Sequence, residues 1–160
     1  MEPLYIDALG LGSVLTGLIY AGFTIPFLVV STFIGGYIDR RGAKGIIIAG
    51  IFLIALSTLG FGLTTRPMLL FLLSLITGIG DALLLPAVMS VIDTLSSYHT
   101  KERISGVKVF AESAGYFVGP LAAGAVTALL GFSEAFVALG IFLIVITAVT
   151  IVMPFRVKQP

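Results

Sequence analysis

Five long apolar runs separated by short polar breaks set the pattern of this chain. Uncharged stretches cover Ala8 to Ile38, Gly45 to Thr65, Ser113 to Ser133 and Ala135 to Phe155, and a run from Pro67 to Ile92 is interrupted only by Asp81. A bilayer-spanning helix needs roughly 20 consecutive, mostly apolar residues, and each run reaches that length. None alternates with period two as a lipid-exposed barrel strand does, so the pattern predicts helices. The expected spans are about 11–36, 45–63, 68–94, 104–130 and 132–154. Breaks fall at Tyr37 to Lys44, at Thr64 to Pro67, at Ser96 to Arg103 and at Gly131. The fold class is an all-α membrane protein.

Composition agrees with that pattern. The chain is 58% hydrophobic and 11% charged, with a mean hydropathy of +1.17, which leaves too little polar residue to coat a water-facing surface. In lipid the backbone must be satisfied within each segment, which helices do. There is no cysteine, so disulfides, thiol chemistry and cysteine metal sites are excluded. The single histidine, His99, sits in a polar loop. No nucleophile–base pair, metal cluster or phosphate loop is present, so neither enzymatic activity nor a metal or cofactor is expected. No nucleic-acid patch is visible, because the basic residues flank the spans.

Charge placement orients the chain. Eight of the nine basic residues fall on one side of a five-span path: Arg40, Arg41 and Lys44 in the first break, Lys101, Arg103 and Lys108 near the third, Arg156 and Lys158 in the tail. Arg66 lies opposite, with Glu2, Asp7 and Glu134. The positive-inside rule then places the C-terminus in the cytoplasm and the N-terminus outside, in a cell membrane. No basic region or cleavage motif of a signal peptide opens the sequence. An odd span number and an outside start imply a further helix before Met1.

The first break carries the most specific motif. Gly35-Gly36-Tyr37-Ile38-Asp39-Arg40-Arg41-Gly42-Ala43-Lys44 resembles the G-x-x-x-D-R-x-G-R-K signature of the major facilitator superfamily of secondary transporters. Gly35, Asp39, Arg40, Gly42 and Lys44 match, and Ala43 stands where the family usually has arginine. The glycines at 35 and 36 suit close helix approach, and Gly42 suits a turn at positive φ. In the resemblance, Asp39 and Arg40 stabilise a cytoplasmic gate; alternatively the basic residues are topological anchors alone. A second stretch, Gly115 to Gly124, contains Gly119-Pro120 and resembles the G-x-x-x-G-P-x-x-x-G pattern of proton-coupled antiporters in that superfamily. Gly115 and Gly119 share a helix face, and Pro120 removes a backbone hydrogen bond. Gly115, Gly119, Pro120 and Gly124 are thus the expected packing motif, with ordinary small-residue packing as the alternative.

Charges inside spans are costly and mark functional candidates. Asp81 lies mid-span, preceded by Ser74 and Thr77 at helical spacing, with Leu85 and Val88 continuing the face. Such a polar stripe would line a water-filled path; a protonated or paired carboxylate is the other possibility. Lys108 and Glu112 stand four residues apart, with Tyr116 one turn on: a structural ion pair or a proton site. The proton or substrate candidates are therefore Asp81, Glu112, Thr77, Ser74 and Tyr116. The second and fifth spans carry no interior charge and read as lipid-facing on most sides.

The resemblance implies five helices of a six-helix half-bundle, matching helices 8–12 or 2–6 of the family. The first half usually bears an arginine where Leu75 precedes Gly78-Ile79-Gly80, and its absence favours helices 8–12. It implies alternating-access transport of a small organic solute, with proton-coupled efflux first. An uptake symporter and a non-transporting membrane subunit or inactive transporter fragment are the alternatives. The implied partners are the lipid bilayer, the solute, protons and the remaining half of the transporter.

Overall fold

The computed structural model describes residues 5–6, 8–10, 12–95 and 101–153. The loop bearing His99 and the tail with Arg156 and Lys158 lie outside the described residues, as does the side chain of Asp39. Five helices follow one another: α1 (Gly12–Arg41), α2 (Ala43–Leu63), α3 (Pro67–Leu95), α4 (Lys101–Leu130) and α5 (Phe132–Val152). Each is long and apolar enough to cross a membrane. α1 runs five residues past the apolar span expected to close near 36, and α4 starts three before 104, because helical hydrogen bonding continues where the hydrophobic pattern stops.

Two single-residue hinges make the tightest turns. Gly42 takes φ +82° between α1 and α2, and Gly131 takes φ +96° between α4 and α5. Both lie in a region that a side chain disfavours. Each amide caps the helix it ends, Gly42 N–H donating to the Ile38 carbonyl at 2.8 Å and Gly131 N–H to the Thr127 carbonyl at 2.9 Å. The α2–α3 turn uses an extended Thr64, and Pro67 opens α3, where a missing N–H costs nothing.

The helices pack in the order α1–α3–α2–α5, and the main contact of α4, a light one, is with α5. α2 therefore sits in the middle. This corrects the expectation that α2 is mostly lipid-facing: 39% of its most apolar stretch is buried, against 11% for α1 and none for α4. Absence of charge does not make a helix peripheral in a membrane, where small residues, not polar ones, build most helix contacts. On the α3 side, a Cβ at Gly50 would lie 2.9 Å from the Gly80 carbonyl, and one at Gly80 would lie 2.7 Å from Ile54 Cγ1. On the α5 side, a Cβ at Gly62 would come within 2.7 Å of the Ser133 carbonyl, and Ser133 Oγ donates to the Gly62 carbonyl. α3 meets α1 as closely, Gly78 lying against the backbone carbonyl of Phe23.

Two apolar clusters close the ends. Ile38, Ala43, Ile46, Ala87 and Val91 pack beside the Gly42 turn. At the opposite end Ile19, Phe61, Leu70 and Phe136 meet Tyr5 and Ile6 from the segment before α1. The Tyr5 ring packs 5.3 Å from Phe136 and 5.8 Å from Phe132, centroid to centroid, and its hydroxyl donates to the Thr64 carbonyl at 3.1 Å. Burial pushes the Tyr5 phenol above its ordinary pKa, so it stays a donor. Its contribution is complete below the unfolded pKa and is lost as pH rises through the folded one.

Gly78→Val should lower stability by about 1–3 kcal/mol through overpacking. Gly115→Ala should leave the five-helix chain unchanged, since nothing lies within 4 Å of a Cβ there. Thermal unfolding of the two variants in one detergent is the check.

Candidate functional site

Asp81 is the central residue of α3, with residues 67–80 on one side and 82–95 on the other. At 1.5 Å per residue it lies about 21 Å from each end. It is half-buried, and among the described residues it has no hydrogen-bond or ion-pair partner. An ionisable group held at mid-depth without a partner is expensive in lipid. It is tolerated where water, a proton or a ligand reaches it.

The polar stripe expected beside Asp81 divides. Ser74 is fully buried, donates to the Phe71 carbonyl at 2.8 Å and lies against Gly22 of α1, 2.7 Å from where a Cβ would stand. Thr77 turns to α2: its Oγ1 is 2.8 Å from Ser57 Oγ and 3.0 Å from the Leu73 carbonyl. Ser57 in turn donates to the Ile54 carbonyl at 3.0 Å. Both hydroxyls therefore serve helix contacts rather than lining an open path. In an apolar medium a hydroxyl is drawn to the nearest carbonyl or to a facing hydroxyl. Asp81, which finds neither, is the group of the stripe left available.

Glu112 and Tyr116 stand elsewhere. They lie on α4, where Lys108 Nζ is 3.5 Å from Glu112 Oε1 and Tyr116 is 82% exposed. The sequence left open whether 108 and 112 pair, and they do. Within these five helices α4 is bare: Gly115, Gly119 and Gly124 face open space, and Pro120 stands inside an unbroken α4. The structure thus groups Ser74, Thr77 and Asp81 on one helix and Glu112 and Tyr116 on another. It does not bring the two groups together.

At the Gly42 end, Gly35 and Gly36 meet open space and Arg40 is exposed. Lys44 reaches across to α5, its Nζ 3.1 Å from the Ile151 carbonyl and 2.8 Å from the Met153 carbonyl. A cavity of about 440 Å³ beside this turn, lined by Ile34, Tyr37, Gly42, Gly45, Ile46 and Leu83 among others, does not include Asp81. The Ser57–Thr77 bridge and the reach of Lys44 had no sequence signal beyond hydroxyls in two neighbouring spans and a lysine at a turn.

Five membrane-length helices, a single-glycine turn inside a D-R-x-G motif and a lone mid-span carboxylate define a multi-pass membrane protein of the transporter class. The sequence model described as Major Facilitator Superfamily matches residues 1–160, and the chain belongs to that family. Multidrug resistance protein 2 of Bacillus subtilis is 30% identical over 122 residues, covering 76% of this chain and 30% of that protein. Multidrug resistance protein 1 of the same organism is 29% identical over 120 residues, 75% of this chain and 31% of that protein. Quinolone resistance protein NorA of Staphylococcus aureus is 30% identical over 118 residues, with 74% and 30% covered. The chain spans about a third of the length of the curated relatives it matches.

Thr77→Val should cost about 0.6–1.7 kcal/mol, the range for a hydrogen bond between membrane helices. Asp81→Asn should not lower stability, because no partner is lost. Unfolding midpoints measured side by side decide; a destabilised Asp81→Asn would mean that the carboxylate is structurally paired.

Proposed function

We propose that this chain forms part of a secondary transporter that exports a small organic solute across the cell membrane, coupled to protons. The observation that carries the proposal is the unpartnered carboxylate of Asp81 at the middle of α3. Family membership supports the reaction class, and the similarity to relatives named for multidrug and quinolone resistance favours export of an organic solute.

The chemistry follows from one group with two states. As a carboxylate, Asp81 attracts a cationic solute or a proton at a depth where water competes weakly. Once protonated it no longer holds a cation. Alternation of those states between the two sides couples proton entry to solute exit, through rocking of two helix bundles about a midplane site. Glu112 is the second proton candidate, freed if Lys108 leaves it, with Tyr116 beside it. Asp39 and Arg40, in the last turn of α1 between Gly35 and the Gly42 hinge, act at the cytoplasmic gate. The bare face of α4 at Gly115, Gly119, Pro120 and Gly124 packs on the remaining half. A midplane path needs that half, so the five helices alone do not transport. The end bearing Arg40 faces the cytoplasm and the Thr64 turn faces outward.

In the full-length carrier in liposomes, Asp81→Asn should lower pH-driven solute flux by at least about tenfold, a loss of roughly 1.4 kcal/mol of coupling. Flux that keeps its pH dependence in that variant would remove Asp81 from the mechanism. Single cysteines in place of Thr65 and Arg40 should react with an impermeant maleimide from outside and from inside respectively; the reverse pattern would invert the orientation.

A further inference from the structure

The lysine that ends the D-R-x-G-x-K motif reaches to the end of another helix, α5. Lys44 stands in the first turn of α2, two residues beyond the Gly42 hinge. Its ammonium group reaches 107 positions along the chain to the Ile151 carbonyl at 3.1 Å and 109 to the Met153 carbonyl at 2.8 Å. These carbonyls belong to the last turn of α5 and its C-cap. The final four carbonyls of a helix have no partner within it, and that end carries a partial negative charge that a cation stabilises. α5 has no basic residue in its own last turn, so the positive charge comes from another helix. Met153 is extended, and its own N–H caps back to Val149 at 2.9 Å. The helix therefore ends where Lys44 receives it.

We infer that Lys44 is a strap: a positioning residue that fixes the first turn of α2, just past the Gly42 hinge, to the end of α5. The Gly42 turn, which joins the end of α1 bearing Asp39 and Arg40 to α2, is then anchored on its α2 side by α5. That side moves with the α2–α5 pair as one body, not freely with the lipid surface. A lysine serving only as a topological anchor would extend its ammonium to lipid phosphates and leave the α5 carbonyls to water. The two roles predict different behaviour at a site remote in sequence, which makes them separable. This inference stands on the contact alone and holds whether or not the protein proves to be an exporter.

The test is amide hydrogen exchange of the full-length protein in lipid nanodiscs, comparing Lys44→Met, Lys44→Gln and Lys44→Arg with the unaltered protein. A cation at a helix C-terminus contributes about 0.3–1 kcal/mol, so Lys44→Met should speed exchange in the last turn of α5, residues 149–153, by about two- to fivefold. The helix ends flanking Gly42, residues 39–44, should loosen with it, and exchange at 59–66, at the far end of α2, should not change. Lys44→Arg should restore protection at both places. Unchanged exchange at 149–153 in Lys44→Met would overturn the strap, and so would an equal rise at both ends of α2. If Lys44→Met does not fold, the other pair decides: protection kept by Lys44→Arg and lost by Lys44→Gln supports the strap, and identical exchange in the two overturns it.

Discussion

The architecture depends on how closely α2 and α3 approach at Gly50 and Gly80. Each glycine leaves room that the other helix fills with backbone, and a Cβ on either side would collide with a carbonyl or with Ile54. Lipid tails are as apolar as leucine, so no hydrophobic force drives these helices together once they are inserted. Dispersion over a close contact does, and it falls off within an ångström of separation. The Ser57–Thr77 bond is possible only at that separation. Its two partners face each other because the backbones beside them touch.

From this contact the rest of the bundle follows. α3 uses its other side for α1, at Gly78 and Ser74, while α2 uses its other side for α5, at Gly62 and Gly140. With both sides of α3 engaged, Ser74 and Thr77 are drawn into the two interfaces, and Asp81 remains without a partner. The candidate site is thus what packing leaves over. α4 shares in none of the close contacts, and its small-residue face meets nothing among the described residues.

Electrostatics acts at the ends. Lys44 neutralises the carbonyl end of α5, and Tyr5 satisfies a carbonyl in the α2–α3 turn. Both replace water at helix termini, where backbone groups lack intrahelical partners. The α2–α5 region is in this way tied at both faces of the bundle, by residues that lie outside or at the margin of the apolar runs.

Much of the fold was legible in the sequence, because lipid imposes a length and forbids charge, and both are one-dimensional properties. The five runs, the turns at Gly42 and Gly131, the mid-span acid Asp81 in α3 and the family motif around Asp39 and Arg40 all come from reading along the chain. The place of α2 does not, since a small-residue face and a lipid face are equally uncharged. Nor does the separation of Ser74 and Thr77, which share a helical stripe with Asp81 but were assigned by packing to two different neighbours. Sequence by itself determined which segments cross the bilayer and which residue bears a charge at mid-depth. Tertiary structure alone decided which faces meet, and therefore which polar groups are consumed by helix contacts and which is left without a partner among the described residues, because the contacts between membrane helices depend on backbone separation and not on hydropathy.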